Sequence, residues 1–322
     1  MKKLFIMGLA AMGLALTACN SDETVEMAKG NAIGFKTFVN NSTRAANDAT
    51  TDNLNEFKVW GLMNKGEQTG TPFVAKEVTK ANGTWSYQTP VYWEKGYAYS
   101  FVALAPNNAY TFTAPTVINT WGSLTFNNGA GETDLIYAAA KQEAVTGNTC
   151  PAAVNMTFNH MLSRVRFQFE NGMADGSVLT VSNVKINDAY TSGTATLAEA
   201  LADLTWNPVQ GTGEIVFGDA AAMEKEAKEA TAHKYMIPAK KAYNLTFTVT
   251  RVHHGVTDTY NHTVTLPETE MKQGLSYQFV ATLTAQNINP DKELCPITFT
   301  AKVNPWAEFG NTNFNLKNAT NN

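Results

Sequence analysis

The second half of the chain contains the run Arg164-Val165-Arg166-Phe167-Gln168-Phe169. Polar and apolar side chains alternate along it without a break. This period of two is typical of a β-strand with one buried face and one exposed face. The run is the final part of a longer strand-like stretch that begins at Val154. The stretch therefore predicts β structure at the centre of the chain.

The same pattern continues in both directions. Further strand-like runs cover residues 57–60, 74–79, 84–88, 97–104, 124–126, 135–137, 179–186, 213–217, 243–252, 258–266, 276–284 and 297–303. Asn82-Gly83 lies between two of them and is a strong hairpin signal. His253-His254-Gly255 is a second candidate turn. Only Ala220 to Ala232 has a helical composition, which predicts a short surface helix. Many short strands separated by turns predict an all-β fold of antiparallel sandwiches.

The first nineteen residues have the pattern of a secretory signal. Lys2 and Lys3 precede an apolar run, and Leu16-Thr17-Ala18-Cys19 follows it. A small-residue site that ends on cysteine predicts a bacterial lipoprotein, with residues 1–18 removed and Cys19 lipidated. An ordinary signal with a chance cysteine is the alternative. Acyl chains on Cys19 would anchor the protein to a membrane face.

Composition limits the choice of partners and of domain number. The chain has 322 residues, of which 44% are hydrophobic, and its formal charge is −4. Loss of Lys2 and Lys3 with the signal makes the charge −6, and the sequence has no basic run, so we expect no nucleic-acid partner. About 300 mature residues predict roughly two domains, and we place a boundary near residue 152.

Cys150 and Cys295 could pair in an exported protein.

Signatures of enzyme chemistry are missing from the sequence. It contains no GxSxG, HExxH, GxxxxGK[ST] or GxGxxG motif and no CxxC zinc pattern. We therefore expect no catalytic residue, no cofactor and no metal. The histidines at 253 and 254 are expected to be solvated turn residues, and His160 a hydrogen-bonded structural residue. The six tryptophans are candidates for a sugar-stacking platform, but core or rim packing is the expectation for most.

A separate short strand lies near the amino end. Ile33, Phe35 and Val39 fall on one side of a period-two pattern. Residues 40–55 then form a polar linker whose only basic residue is Arg44.

Short motifs recur along almost the whole chain. They are residues 16–19, 33–35, 42–45, 57–61, 91–93, 99–101, 133–138, 158–165, 237–238, 274–279 and 303–306. The most specific is Phe158-Asn159-His160-Met161-Leu162-Ser163-Arg164-Val165. In their order and spacing these motifs resemble the fimbrillins, the subunits of type V pili of Gram-negative anaerobes.

The resemblance implies a lipoprotein precursor with two transthyretin-like β-sandwich domains in tandem. Residues 19–44 would be the lipidated tether with a removable first strand. Residues 45–152 would form the first sandwich, and residues 153–322 the second with a donor tail from about residue 295. A trypsin-like protease would cut between Arg44 and Ala45 and so release the strand. A neighbouring subunit's strand would fill the groove, and filaments would grow from the outer membrane.

The carboxyl-terminal part contains the candidate donor strand. Its apolar positions are Ile297, Phe299, Ala301 and Val303. A second alternating piece contains Phe314 and Leu316.

Other readings stay open at this point. Arg44 could be an ordinary linker arginine, and residues 297–303 could be the last strand of their own sheet. In that case the chain would be a tip subunit or an unpolymerised surface lipoprotein. A tip adhesin that binds host or bacterial surface ligands, such as glycans, is the main alternative. A secreted hydrolase with carboxylates that the sequence cannot pair is a third.

Overall fold

The computed structural model describes residues 32–40, 48–147, 149–208, 211–291 and 295–306. The described chain is all-β, with one short 3-10 turn at Leu201–Asp203. The first eleven strands are β1 (Phe35–Val39), β2 (Glu56–Lys65), β3 (Gln68–Ala81), β4 (Thr84–Ser86), β5 (Ala98–Ala105), β6 (Tyr110–Thr113), β7 (Ser123–Asn127), β8 (Ile136–Gln142), β9 (Val154–His160), β10 (Ser163–Asn171) and β11 (Val178–Tyr190). The next eleven are β12 (Ser192–Thr196), β13 (Thr205–Pro208), β14 (Thr212–Met223), β15 (Lys228–Ala230), β16 (Lys234–Met236), β17 (Lys240–Lys241), β18 (Asn244–His253), β19 (Val256–Thr265), β20 (Thr269–Glu270), β21 (Leu275–Leu283) and β22 (Thr300–Pro305).

The two turn predictions are confirmed. Asn82 and Gly83 both have positive φ, at 50° and 78°, and join β3 to β4. His254 and Gly255, at 49° and 78°, join β18 to β19 in the same way. Two consecutive residues with positive φ match the right-handed twist of the strands that they connect.

A seven-stranded sheet carries the amino-terminal part, in the order β1-β9-β8-β5-β2-β3-β4. Its β9 follows the boundary expected near residue 152, yet pairs with β1 and β8. One apolar cluster covers each face of the sheet. Buried side chains of β1, β2, β3, β5 and β9 form the first cluster, and the second includes Leu104, Phe126 and Tyr137. A four-stranded sheet, β13-β12-β7-β6, contributes to the second cluster.

The carboxyl-terminal sandwich packs two sheets around the opening motif. One has the order β15-β10-β21-β22, with β16 also paired to β10, and the other is β14-β11-β18-β19. Val165, Phe167 and Phe169 on β10 are fully buried in the shared core, as the alternation predicts. Arg164 departs from the pattern because it is also fully buried.

The helix expected from 220 to 232 is wrong. The segment forms the end of β14, a turn and β15. Phe217, Ala220 and Met223 face the core at three-residue spacing because pairing with β11 shifts register on either side of Val181↔Ala220. Such bulges add residues to one strand and break the period of two. The Ala, Glu and Lys residues of this segment are typical of a helix, but here they lie in two strands and a turn.

Neither a metal cluster nor a helix able to span a membrane occurs in the described ranges. Within them, no three His, Cys, Asp or Glu side chains are grouped so as to hold an ion. Those ranges also contain no helix that is long and apolar enough to cross a bilayer.

Candidate functional site

The amino-terminal strand lies at one edge of the seven-stranded sheet and runs parallel to β9. The register pairs Phe35 with Val154 and Val39 with Phe158. Flanking backbone hydrogen bonds extend the pairing: the amide of Val154 donates to the carbonyl of Gly34, and the amide of Asn40 donates to that of Phe158, both at 2.8 Å. β1 therefore pairs with the backbone groups of β9 from Val154 to Phe158 on one edge of that strand.

The three apolar residues predicted to share one side of the amino-terminal strand are all buried, two of them on β1 and Ile33 just before it. Ile33 and Val39 are 0% exposed and Phe35 is 6% exposed. The ring of Phe35 lies among four aromatic rings, with centroid distances of 5.6–6.0 Å. These rings belong to Phe57, Phe73, Tyr87 and Phe101. The strand is therefore part of the core wall, although it lies at the sheet edge.

The outer edge of β1 is held less regularly. The amide of Val39 donates to Thr51 Oγ1 at 3.0 Å, and Tyr87 Oη donates to the carbonyl of Ile33 at 2.7 Å. Phe38, on the opposite face of the strand, is 55% exposed. Loss of β1 would open the β9 edge and uncover an apolar groove, which is the arrangement that accepts an added strand.

A buried polar cluster follows the amino-terminal strand in the chain. Asp48 is 1% exposed and Arg164 is 0% exposed, and their side chains form an ion pair. Tyr235 Oη donates to Asp48 Oδ1 at 2.7 Å, and Arg164 Nε donates to Ser276 Oγ at 2.8 Å. Burial raises the pKa of Asp48, while the Arg164 charge opposes that shift. Burial, with the charges of Asp134 and Asp48, also raises the pKa of Tyr235.

Trp306 connects this cluster to the end of the described chain. Its indole is 0% exposed and lies parallel to the ring of His160, with centroids 4.2 Å apart. The ring of Tyr235 is also parallel to it, at 5.7 Å, and the Arg164 guanidinium lies 5.5 Å from its centroid. His160 Nδ1 lies 3.0 Å from Asp134 Oδ1, as expected for a hydrogen-bonded structural histidine.

The candidate donor strand lies in its own subunit. β22 pairs antiparallel with β21 from Leu275↔Pro305 to Val280↔Thr300. Ile297, Phe299 and Ala301 are buried in the second sandwich, and Val303 packs against the same cluster. Within the described chain, residues 297–299 precede β22 and residues 300–303 pair with β21 of the same subunit, while the donor role stays a prediction.

Several sequence predictions fall outside the described residues. These are Cys19, Arg44, Ala45, Phe314 and Leu316.

The remaining candidates can be placed. Cys150 is half-buried and Cys295 exposed, with no disulfide bond between them. All six tryptophans are buried or half-buried, so none stands out from the surface as a sugar platform. His254 is exposed at its turn.

Sequence reasoning missed Asp48, Asp134 and Tyr235 as members of the buried cluster. His160 and Arg164 gave the clearest signal, since both belong to the motif at residues 158–165, and Asp134 lies in the matching piece 133–138 without any sign of its partner. Both side chains have almost no exposed surface, and each bonds to an aspartate carboxylate. The partners are distant in the chain and lie in polar segments, where an aspartate is ordinarily exposed.

Comparison with known proteins gives a consistent result. A family model described as fimbrillin-like matches residues 43–306. The fold is similar to a solved fimbrial protein from Bacteroides vulgatus ATCC 8482, with a TM-score of 0.63 and 14% identity over 86% of this chain and 99% of that one. A proposed cell adhesion protein from Bacteroides ovatus ATCC 8483 gives a TM-score of 0.51 and 14% identity, over 85% and 97%. No curated protein matches the chain.

Proposed function

The chain belongs to the fimbrillin-like family, and we propose that it is a structural subunit of a cell-surface fimbria. The family is one of fimbrial proteins rather than of enzymes. In this proposal the subunit is exported as a lipoprotein through Cys19, anchored in the outer membrane, and cut by a trypsin-like protease between Arg44 and Ala45. Its partners are other fimbrial subunits.

One observation carries the proposal: Phe35 and Val39 on the edge strand β1, and Ile33 just before it, are core residues. β1 has a strand partner on one side only, so its departure breaks one β-ladder and a few outer-edge hydrogen bonds, such as those of Val39 and Ile33. Its departure exposes the β9 backbone and an aromatic groove, which a strand of the same pattern from a second copy can refill. Each restored backbone hydrogen bond contributes roughly 0.5–1.5 kcal/mol, and the buried side chains add to this.

The donor strand needs a source other than β22 in this arrangement. β22 carries a full antiparallel pairing with β21, and removing it would open the second sandwich. We therefore place the donor in residues 307–322, where Phe314 and Leu316 alternate with polar residues. A head-to-tail contact of this kind does not close on itself and so gives a filament.

The position of β22 also supports a second candidate. If residues 307–322 do not donate, a subunit whose β22 stays in its own sheet could accept a donor but have none to give. It would then sit at the tip of a fimbria as an adhesin, or remain a monomeric surface lipoprotein. The two candidates differ in whether the chain can polymerise alone.

Limited trypsin digestion of the purified chain tests the proposal. We expect a new amino terminus at Ala45, followed by ladders of multimers on a gel. Arg44→Ala should prevent both the cut and the ladders. A chain that ends at residue 306 should be cut normally but stay monomeric. Full-length cut protein that stays monomeric would favour the tip candidate, and a chain without cleavage at Arg44 would contradict both processing and release of the strand.

A further inference from the structure

Three routes of contact join Asp48 to Trp306, residues that lie 258 positions apart in the sequence. In the first, Asp48 accepts from Tyr235, whose ring is parallel to the Trp306 indole. In the second, Asp48 pairs with Arg164, which lies over the same indole.

The third route starts at Ala49, the residue after Asp48. The amide of Ala49 donates to Asp134 Oδ2 at 2.8 Å. Asp134 then bonds to His160, and His160 stacks on Trp306. The backbone amide of Trp306 also donates to the carbonyl of Gly274 at 3.0 Å, just before β21 begins.

We propose that these side chains form a terminal clamp that fixes both ends of the processed subunit at one place. The terminal clamp consists of Asp48, Asp134, His160, Arg164, Tyr235 and Trp306. It retains the chain from residue 48 onward after cleavage, and it retains β22 up to Trp306. Strand exchange is thereby confined to residues before 48 at one end and after 306 at the other. This consequence rests on the proposed function, whereas the clamp itself does not.

Burial makes the clamp costly to open at either end. Withdrawal of Asp48 would break its ion pair with the fully buried Arg164 guanidinium, and breaking a buried ion pair is strongly unfavourable. Withdrawal of Trp306 would remove the ring between His160 and Tyr235 and uncover one face of the Arg164 guanidinium. Each end therefore holds groups on which the other end depends.

Hydrogen–deuterium exchange on the full, uncut chain tests the clamp without any need for polymerisation. The variants are Trp306→Leu, which removes the stack, and Trp306→Phe, which keeps an aromatic ring. The matched control is Trp93→Leu, since the ring of Trp93 packs on Tyr99 and Phe101 of β5, neither of which is a clamp residue. We expect Trp306→Leu to speed exchange about tenfold in residues 48–54 as well as in β22, with β19 unchanged. Trp306→Phe should give a smaller effect at the same two places.

The reciprocal variant is Asp48→Asn, which should speed exchange in β22 as well as in residues 48–54. Faster exchange confined to the mutated end in either variant would overturn the clamp. So would equal effects of Trp93→Leu on these two segments. Ladders after trypsin digestion with no coupling between the ends would reject the clamp alone. Coupled ends in a chain that never polymerises would reject the proposed function alone.

Discussion

The hydroxyl of Tyr235 donates a 2.7 Å hydrogen bond to Asp48 Oδ1. Tyr235 lies on β16, next to β10 in the second sandwich, while Asp48 precedes β2 of the seven-stranded sheet. Both side chains are buried, at 2% and 1% exposure. One short bond thus joins β16 to the segment that leads into β2, beside the segment that contains the expected cleavage site.

Tyr235→Phe tests the strength of this connection. The variant keeps the ring beside Trp306 but leaves Asp48 Oδ1 without its phenol donor. A buried acceptor that loses one partner costs about 1–3 kcal/mol, so we expect the free energy of unfolding to fall by that amount. Urea denaturation measures it. Tyr92→Phe, at a residue that is 42% exposed, is the control and should change stability by less than about 0.5 kcal/mol. Equal effects of the two variants would show that the bond contributes nothing specific.

Asp48→Asn should cost more than Tyr235→Phe. The amide can still accept from Tyr235, but the substitution breaks the ion pair with a fully buried guanidinium. Removal of one partner of a buried pair costs about 3–5 kcal/mol. The control is Glu214→Gln, which breaks an exposed 2.7 Å pair with Lys185 and should cost less than about 1 kcal/mol. A loss of stability at Asp48 no larger than that at Glu214 would contradict the burial of this ion pair.

Local patterns predicted the elements of this fold better than they predicted its cluster of buried charges. Alternation identified β10, and the Asn82-Gly83 turn identified the hairpin of β3 and β4. Those signals are local because the strand period and the turn conformation depend on neighbouring residues. The class of all-β sandwich fold is confirmed, while the division into two transthyretin-like domains stays a prediction.

The long-range features could not be predicted from the sequence, because they depend on contacts between distant segments. Nothing in the residues around Asp48 indicates that an arginine from β10 will lie against it. The bulges that carry Ala220 into the core also depend on pairing with β11, not on the composition of β14. The polar linker expected over residues 40–55 includes Leu54, which is buried beside β2. These are contacts between segments, and a single sequence specifies them only through the folded chain.

The amino-terminal strand offers a matched pair of phenylalanines. Phe35 is 6% exposed within an aromatic cluster, whereas Phe38 is 55% exposed on the same strand. Phe35→Ala removes a core ring and should lower the free energy of unfolding of the uncut chain by about 3–5 kcal/mol. Phe38→Ala should change it by no more than about 0.5 kcal/mol. Thermal and urea unfolding of both variants measures this difference, and similar losses in the two would contradict the inward orientation of Phe35.

Acidification should destabilise the chain through His233. Burial, followed by the charges of Arg164 and Arg166, lowers the pKa of His233 to about 3, against about 6.5 in an unfolded chain. The unfolded state therefore binds a proton at a higher pH than the folded state does. Stability from this residue is complete above pH 6.5 and is lost as the pH falls from 6.5 toward 3.

We expect His233 to account for about 1 kcal/mol of the stability lost between pH 7 and pH 5, with allowance for its partial exposure to solvent. His233→Gln cannot be protonated in this range, so its unfolding free energy should depend less steeply on pH over that interval. His254→Asn is the control, because His254 is exposed and asparagine tolerates its positive φ of 49°. Urea titrations at pH 7, 6 and 5 compare the three proteins. A slope for His233→Gln equal to that of the wild-type chain would show that His233 is not held in its neutral form by the fold.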